Sequence, residues 1–192
     1  ITRIILWYAP YGRSITDGMW ESVYFMRLVV YHMMDHAEES YEVLKQQGFT
    51  ASLDEYKNML FDYWIELVYN NRKQDAIELE NAFQNQANNR LVAKNIPLYV
   101  IKQMTSDVDF QTVRKTLFDI QANRKNTDST NLILATSTIS HGVDEDSFNI
   151  MYFFGMPNNN AEYIQAYSRT GRKYIGIVID IIRLMRVRDR SY

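Results

Sequence analysis

Leu132-Ile-Leu-Ala-Thr-Ser-Thr-Ile-Ser-His-Gly-Val-Asp144, then Ile150-Met-Tyr-Phe-Phe-Gly-Met-Pro157, then Glu162-Tyr-Ile-Gln-Ala-Tyr-Ser-Arg-Thr-Gly-Arg172, is the stretch on which the fold turns. The first two pieces open with short, unbroken apolar runs. One is closed by hydroxyl residues and the other by Gly155 and Pro157. Such runs, Leu132–Ala135 and Ile150–Phe154, read as strands buried on both faces. The third piece reads as a helix, with Gln165, Arg169 and Arg172 at i, i+4 and i+7 and therefore on one face. Gly171 stands where that helix begins to end. Two guanidiniums held together suit an anion with several oxygens, such as a nucleoside triphosphate. Arginines also sit well at a helix C-terminus against its dipole, and these eleven residues alone leave the two readings balanced.

Upstream, the same alternation continues. Ile4 to Tyr8 reads as a strand, broken by Pro10-Tyr-Gly12. A long helix is predicted from Asp17 as N-cap, with Trp20, Val23, Tyr24, Arg27, Val30, Tyr31 and Met34 at helical spacing. Phe25, Leu28 and Val29 make its other faces apolar too, so it is buried on more than one side or forms an interface. Gly48 closes that region, and a second helix runs from Ser52 or Asp54 through Phe61. Trp64 to Tyr69 reads as a buried strand. A helix from about Arg72 carries Ala76, Leu79 and Phe83 on one face. Asn81, Asn85, Asn88 and Asn89 mark a polar loop. Pro97 to Ile101 reads as a strand. Thr105-Ser-Asp107 caps a helix with Phe110, Val113, Leu117 and Ile120 on its apolar side. Tyr174 to Ile182 reads as the last strand. Apolar strands alternating with helices predict an α/β fold: a parallel sheet with helices on both faces, containing Leu67, Val100, Leu134, Phe153 and Val178.

The chain has 192 residues, 46 % of them apolar and 14 % aromatic, which is a globular composition. It has no cysteine, so no disulfide framework and no thiolate metal site are expected. His32 and His36 stand at i, i+4 spacing without a third ligand of the usual kind, and no metal site is assigned. Net charge is −2 and the pI is about 5.9, which argues against a dedicated basic nucleic-acid-binding domain. The most apolar stretch, Met19 to Met34, carries Glu21, Arg27 and His32 and is too short to span a bilayer, so no membrane role is expected. The lack of cysteine and of targeting signals favours the cytoplasm. The chain begins without Met and stops just after an arginine-rich run, so it reads as a fragment.

The motifs resemble a known family. Ala135-Thr136 through Gly142-Val-Asp144 resembles motif V, and Gln165 to Arg172 resembles motif VI, of the second RecA-like lobe of superfamily-2 helicases and translocases. Ile65 to Ala76 is similar to motif IV, and Gln111-Thr-Val-Arg114 to the Gln-x-x-Arg helix ahead of motif V. The four stand in the family's order over roughly residues 63–182. The wording Glu-Tyr-Ile-Gln-Ala-x-Ser-Arg-x-Gly-Arg, with Arg188-Asp-Arg-Ser191 later, most resembles the large helicases of DISARM-type phage-defence systems. Ala166 and Ser168 stand where many relatives carry Arg and Gly, which separates this chain from DEAD-box wording.

The resemblance implies residues 1–62 as an N-terminal helical lead-in, 63–182 as the RecA-like lobe, and 183–192 as the start of a C-terminal extension. It implies Arg172 as the arginine finger, Arg169 as a second phosphate-facing arginine, and Gln165 as the first residue of motif VI. Gly142 and Asp144 are implied at the nucleotide, and Thr136, Ser137 and Asn70 at the nucleic-acid backbone. The Thr136, Ser137 and Thr138 hydroxyls can hydrogen-bond phosphate oxygens, and Ser137 and Thr138 suit ordinary turn capping equally well. His141 reads as a loop residue without a chemical role. The implied cofactors are ATP and Mg²⁺, held mainly by the first lobe. The implied partners are that lobe, DNA or RNA, and other defence-system proteins. No Gly-x-x-x-x-Gly-Lys-Ser/Thr loop and no Asp-Glu pair of the helicase type occur in the chain, so it would supply half an active site. Two rival readings are a non-catalytic module binding nucleotide or protein, and an interaction domain using the helical N-terminal part.

Overall fold

All five residues of Glu66–Asn70 (β2), all four of Leu132–Ala135 (β4) and all five of Ile150–Phe154 (β5) are buried, so the sheet they form is covered on both faces. The computed structural model describes residues 2–137, 148–185 and 189. Arg3–Tyr8 (β1), Ile101–Met104 (β3) and Gly176–Ile181 (β6) complete a six-stranded sheet in the order β1-β6-β5-β2-β4-β3. Every pairing is parallel.

Strand alternation sorts the core into two layers. Val68, Leu134, Tyr152 and Ile179 face Ile15–Asp35 (α1) and Lys73–Ala82 (α4). Leu67, Ile133, Phe153 and Val178 face Phe110–Ala122 (α6) and Asn160–Tyr167 (α7). A smaller cluster, centred on Ala37, Tyr56 and Leu60, joins α1 to Ala37–Gln46 (α2) and Leu53–Trp64 (α3). The fold is thus the expected parallel α/β sheet, and the N-terminal segment also adds β1 to its edge.

Several boundaries differ from the sequence reading. Ser14, not Asp17, caps α1: its hydroxyl accepts from the Asp17 amide at 3.0 Å. Asp17 is instead in the first turn, where hydrogen bonds from Ser14 and Trp20 hold its carboxyl below the usual range. Trp64 ends α3, so β2 starts at Glu66. The Asn81–Asn89 stretch is not a loop. The chain continues through a π-helical turn, Phe83–Ala87, into Asn88–Ala93 (α5), because Phe83, Ala87 and Leu91 keep one fully buried face. The asparagines fit because they bond back along the helix, Asn85 Nδ2 to the Asn81 carbonyl at 2.9 Å among them. β3 starts at Ile101, where the predicted strand ended. Just before it, Tyr99 and Val100 give their amides to the side chains of Asn88 and Asn131, so ladder pairing starts later. Asp109 rather than residues 105–107 caps α6, and Phe110 is half exposed instead of facing the core.

One tie was not foreseen. Arg27 of α1 is buried, with Nη2 at 3.0 Å and Nε at 3.2 Å from Glu66 Oε2. Its guanidinium lies 3.9 Å from the Trp64 ring centroid and 4.5 Å from that of Tyr99. Glu66 also accepts from the Tyr152 hydroxyl at 2.8 Å. Its desolvation pushes the carboxyl up to about 7, against the opposing pull of Arg27 and Tyr152.

Candidate functional site

α7 starts at an Asn159 cap, whose side chain accepts from the Glu162 amide at 2.8 Å. The Tyr69 hydroxyl donates to Glu162 and pins this first turn over β2. The helix then ends at Tyr167, short of both arginines. Arg169 and Thr170 stay in tightened turns, with amides bonded to Ala166 and Tyr167 at 3.2 and 2.9 Å. Gly171 turns the chain with φ +72° and bonds the Phe148 carbonyl at 2.9 Å. The expected helical face shared by Gln165, Arg169 and Arg172 therefore does not form. Gln165 is exposed on α7, Arg169 is partly buried in the turn, and Arg172 lies beyond Gly171.

Three features make this turn rigid. An ideal Cβ on Gly171 would lie 2.4 Å from the Cα and the nitrogen of Gly176, so only glycine fits there. Thr170 is fully buried, with its hydroxyl 3.2 Å from Met151 Sδ. Arg3, the first residue of β1, donates from Nε to the Thr170 carbonyl and from Nη2 to the Ser168 carbonyl, each at 2.7 Å. Next to Arg172, Lys173 Nζ lies 3.1 Å from buried Asp62, which Arg124 also holds at 2.8 Å. The sequence reading missed Arg3 and Asp62, since neither stands in a motif.

The second group of candidates lies elsewhere. Thr136 closes β4, is nearly buried, and gives its amide to the Met104 carbonyl at 3.1 Å. Ser137 beside it is exposed. Asn70 is fully buried: its Nδ2 bonds the Val68 and Ala135 carbonyls at 3.1 and 3.3 Å, tying the carboxyl ends of β2 and β4 together. Asn71 does the same for the chain leaving β5, reaching the Phe154, Gly155 and Met156 carbonyls. Gly142 and Asp144, with Thr138 and His141, lie outside the described residues. No cluster of three His, Cys, Asp or Glu side chains fit to hold a metal occurs among the described residues.

The candidates thus form two groups at opposite ends of the sheet. Thr136, Ser137 and Asn70 stand at the carboxyl ends of the strands. α7 returns the chain to the start of β6, so Arg169 and Arg172 stand by the amino ends, next to Phe148 and Gly176. A five-residue strand separates such ends by about 16 Å.

A parallel sheet of this order, with an arginine turn before its second strand from the edge, defines a RecA-like lobe. Residues 59–174 match the helicase conserved C-terminal domain, and the chain belongs to that family. Over 90 residues, 47 % of this chain, it is 36 % identical to the DISARM protein DrmA of Bacillus paralicheniformis, spanning 8 % of that protein. Among solved structures, Mss116p DEAD-box helicase domain 2 bound to an RNA duplex superposes with TM-score 0.51 at 14 % identity, over 95 % of this chain and 55 % of that one. The C-terminal part of the Fun30 ATPase domain gives 0.51 at 11 % identity, over 83 % and 52 %. The RNA helicase Prp28 from Chaetomium thermophilum, bound to ADP, gives 0.50 at 13 %, over 94 % and 33 %. These three likenesses concern the fold alone.

Proposed function

We propose that this lobe serves an ATP-dependent helicase or translocase by completing a nucleotide site on a first RecA-like lobe and by touching a DNA or RNA backbone. The observation that carries the reading is the rigid Arg169–Arg172 turn, which holds two guanidiniums beyond a helix end. Arg172 is the finger that meets charge developing on the γ-phosphoryl group of ATP, and Arg169 binds the phosphates beside it. Gln165, Gly142 and Asp144 complete the nucleotide side. ATP and Mg²⁺ are held mainly by the first lobe, since this chain has no phosphate loop.

The separation of the two groups suits two ligands. Nucleic acid lies over the carboxyl ends, where Thr136 and Ser137 hydroxyls donate to phosphate oxygens. Asn70 supports that surface from beneath, because its amide is already committed to backbone carbonyls. Other defence-system proteins are the proposed wider partners, and the cytoplasm the proposed location. No helix among the described residues is long and apolar enough to cross a membrane. The test is nucleic-acid-stimulated ATP hydrolysis by the protein carrying both lobes. Arg172→Ala should lower the rate by ~10³-fold or more, and a near-normal rate would remove the proposal.

A further inference from the structure

We propose, resting on the reading of Arg172 as the arginine that meets the γ-phosphoryl group, that Asp62 is its positioning residue and acts through Lys173. Residues 172–175 form neither helix nor strand, so their placement depends on what grips them from outside. Two consecutive residues in the last turn of α3 do so. Asp62 Oδ2 accepts from Lys173 Nζ at 3.1 Å, and the Tyr63 hydroxyl donates to the Ile175 carbonyl at 2.6 Å. The loop is also fastened at its ends. The Gly171 amide donates to the Phe148 carbonyl at 2.9 Å, and the Gly176 amide to the Thr2 carbonyl at 3.1 Å. Arg172 therefore has a fixed neighbour on each side: Gly171 by its backbone and Lys173 by its ion pair with Asp62.

Asp62 suits this task because it is fully buried, whereas Lys173 is partly exposed. A buried carboxylate must be satisfied by partners in the protein, and it holds them in place. Its Oδ1 accepts from Arg124 Nη1 at 2.8 Å, leaving Oδ2 for Lys173. Arg124 lies just beyond α6, so one carboxylate joins α3, the end of α6 and the arginine loop. The second effect is electrostatic. Lys173 carries the same charge as the neighbouring Arg172. Engaged with Asp62, its ammonium is compensated on α3 and does not compete for the phosphate oxygens. Misplacing a catalytic group by about 1 Å can cost on the order of 100-fold in rate, so a modest loosening of this loop would be felt at the reacting phosphoryl group.

Lys173→Met in the protein carrying both lobes tests this, because it releases the loop yet leaves Asp62 paired with Arg124. The kcat of nucleic-acid-stimulated ATP hydrolysis should fall by roughly 10- to 100-fold, with KM for ATP and the melting temperature nearly unchanged. Lys173→Arg keeps the ion pair and should restore most of the rate. In an Arg172→Ala background, Lys173→Met should cost nothing further, since the group it positions is gone. Asp62→Asn should reproduce the loss of kcat with Lys173 intact. A normal kcat in Lys173→Met beside an inactive Arg172→Ala would overturn the inference and leave the role of Arg172 standing. A near-normal rate in Arg172→Ala would overturn both. A further loss in the double variant, or a raised KM at unchanged kcat, would also overturn it, since Lys173 would then bind the phosphates itself. If Asp62→Asn unfolds the protein, the Lys173 variants still decide.

Discussion

Gly171 and Gly176 meet so closely that a methyl group on Gly171 would lie 2.4 Å from both the Cα and the nitrogen of Gly176. This contact sets where Arg172 leaves the turn. Gly12 is a natural control, with a similar φ of +71° but nothing within 4 Å of its added Cβ. Gly12→Ala should cost only the strain of the left-handed backbone, about 1 kcal/mol. Gly171→Ala adds a backbone clash that no rotamer relieves, and should cost several-fold more. Urea unfolding of both variants measures the difference, and equal losses would show that the turn yields.

The buried Arg27–Glu66 pair makes stability depend on pH. The Glu66 carboxyl is raised from its usual 4.5 to about 7, mainly by burial. The folded state therefore holds this proton more tightly than the unfolded chain, and the associated stability is full below about 4.5 and lost as pH rises to about 7. The change is on the order of 3 kcal/mol. Glu66→Gln should flatten it. Arg27→Met removes the charge that opposes burial, so the Glu66 carboxyl should titrate higher still and stay mostly protonated at neutral pH, and the variant should lose more stability at pH ~7 than at pH ~5. Denaturant titrations across this range check both.

Asp180 in β6 behaves in the same sense over a lower window. Burial raises its carboxyl from 3.8 to about 6, opposed by the Tyr163 hydroxyl, which donates at 2.7 Å. Stability tied to Asp180 is present below about 3.8 and lost by about 6. Tyr163→Phe removes the opposing hydrogen bond and should move the Asp180 titration to higher pH. A ¹³C carboxyl titration by NMR reads this directly, and an unmoved or lowered midpoint would contradict it.

How much of this was legible in the sequence depended on how local each cause is. β4 and β5 were read to the residue because their runs are wholly apolar and bounded by polar or turn residues. β3 was misplaced because Asn88 and Asn131, distant in sequence, take the amides that would begin its ladder. The arginine helix was overextended because its end is set by Phe148 and Arg3, both distant in sequence, and by a close approach to Gly176 that helical periodicity does not report. The burial of Arg27 needs Glu66, in a strand beyond two further helices. The two types of arginine and hydroxyl candidates were visible, but their placement at opposite ends of the sheet is a property of the topology.

The chain by itself should not hydrolyse ATP, and its affinity for nucleic acid should be weak and strongly salt-dependent, with little sequence preference. Its net charge is −2, and the proposed contacts are a few hydroxyls and backbone groups at the carboxyl ends. In the two-lobed protein, Thr136→Ala should weaken nucleic-acid stimulation while leaving basal hydrolysis nearly unchanged. Filter binding across a salt series, with ATPase assays alongside, would expose tight sequence-specific binding as a contradiction.

Arg169 and Arg172 should separate in their kinetic effects. Arg169 is partly buried inside the tightened turn, whereas Arg172 stands beyond the Gly171 reversal. A guanidinium that meets charge mainly as it develops acts on the chemical step, so Arg172→Ala should lower kcat with little change in the affinity for ATP. Arg172→Lys should restore little, because an ammonium cannot place a planar fork on two oxygens. Arg169→Ala should raise KM for ATP as well as lower kcat, since a phosphate contact made in the ground state is lost. If both arginines were only surface groups at a helix end, each substitution would cost a few tenths to ~1 kcal/mol of stability and leave turnover intact. Melting temperature and steady-state kinetics on the same variants divide these outcomes: a large loss of rate at unchanged melting temperature supports direct phosphate contact, and a parallel loss of both assigns the arginines to holding the turn.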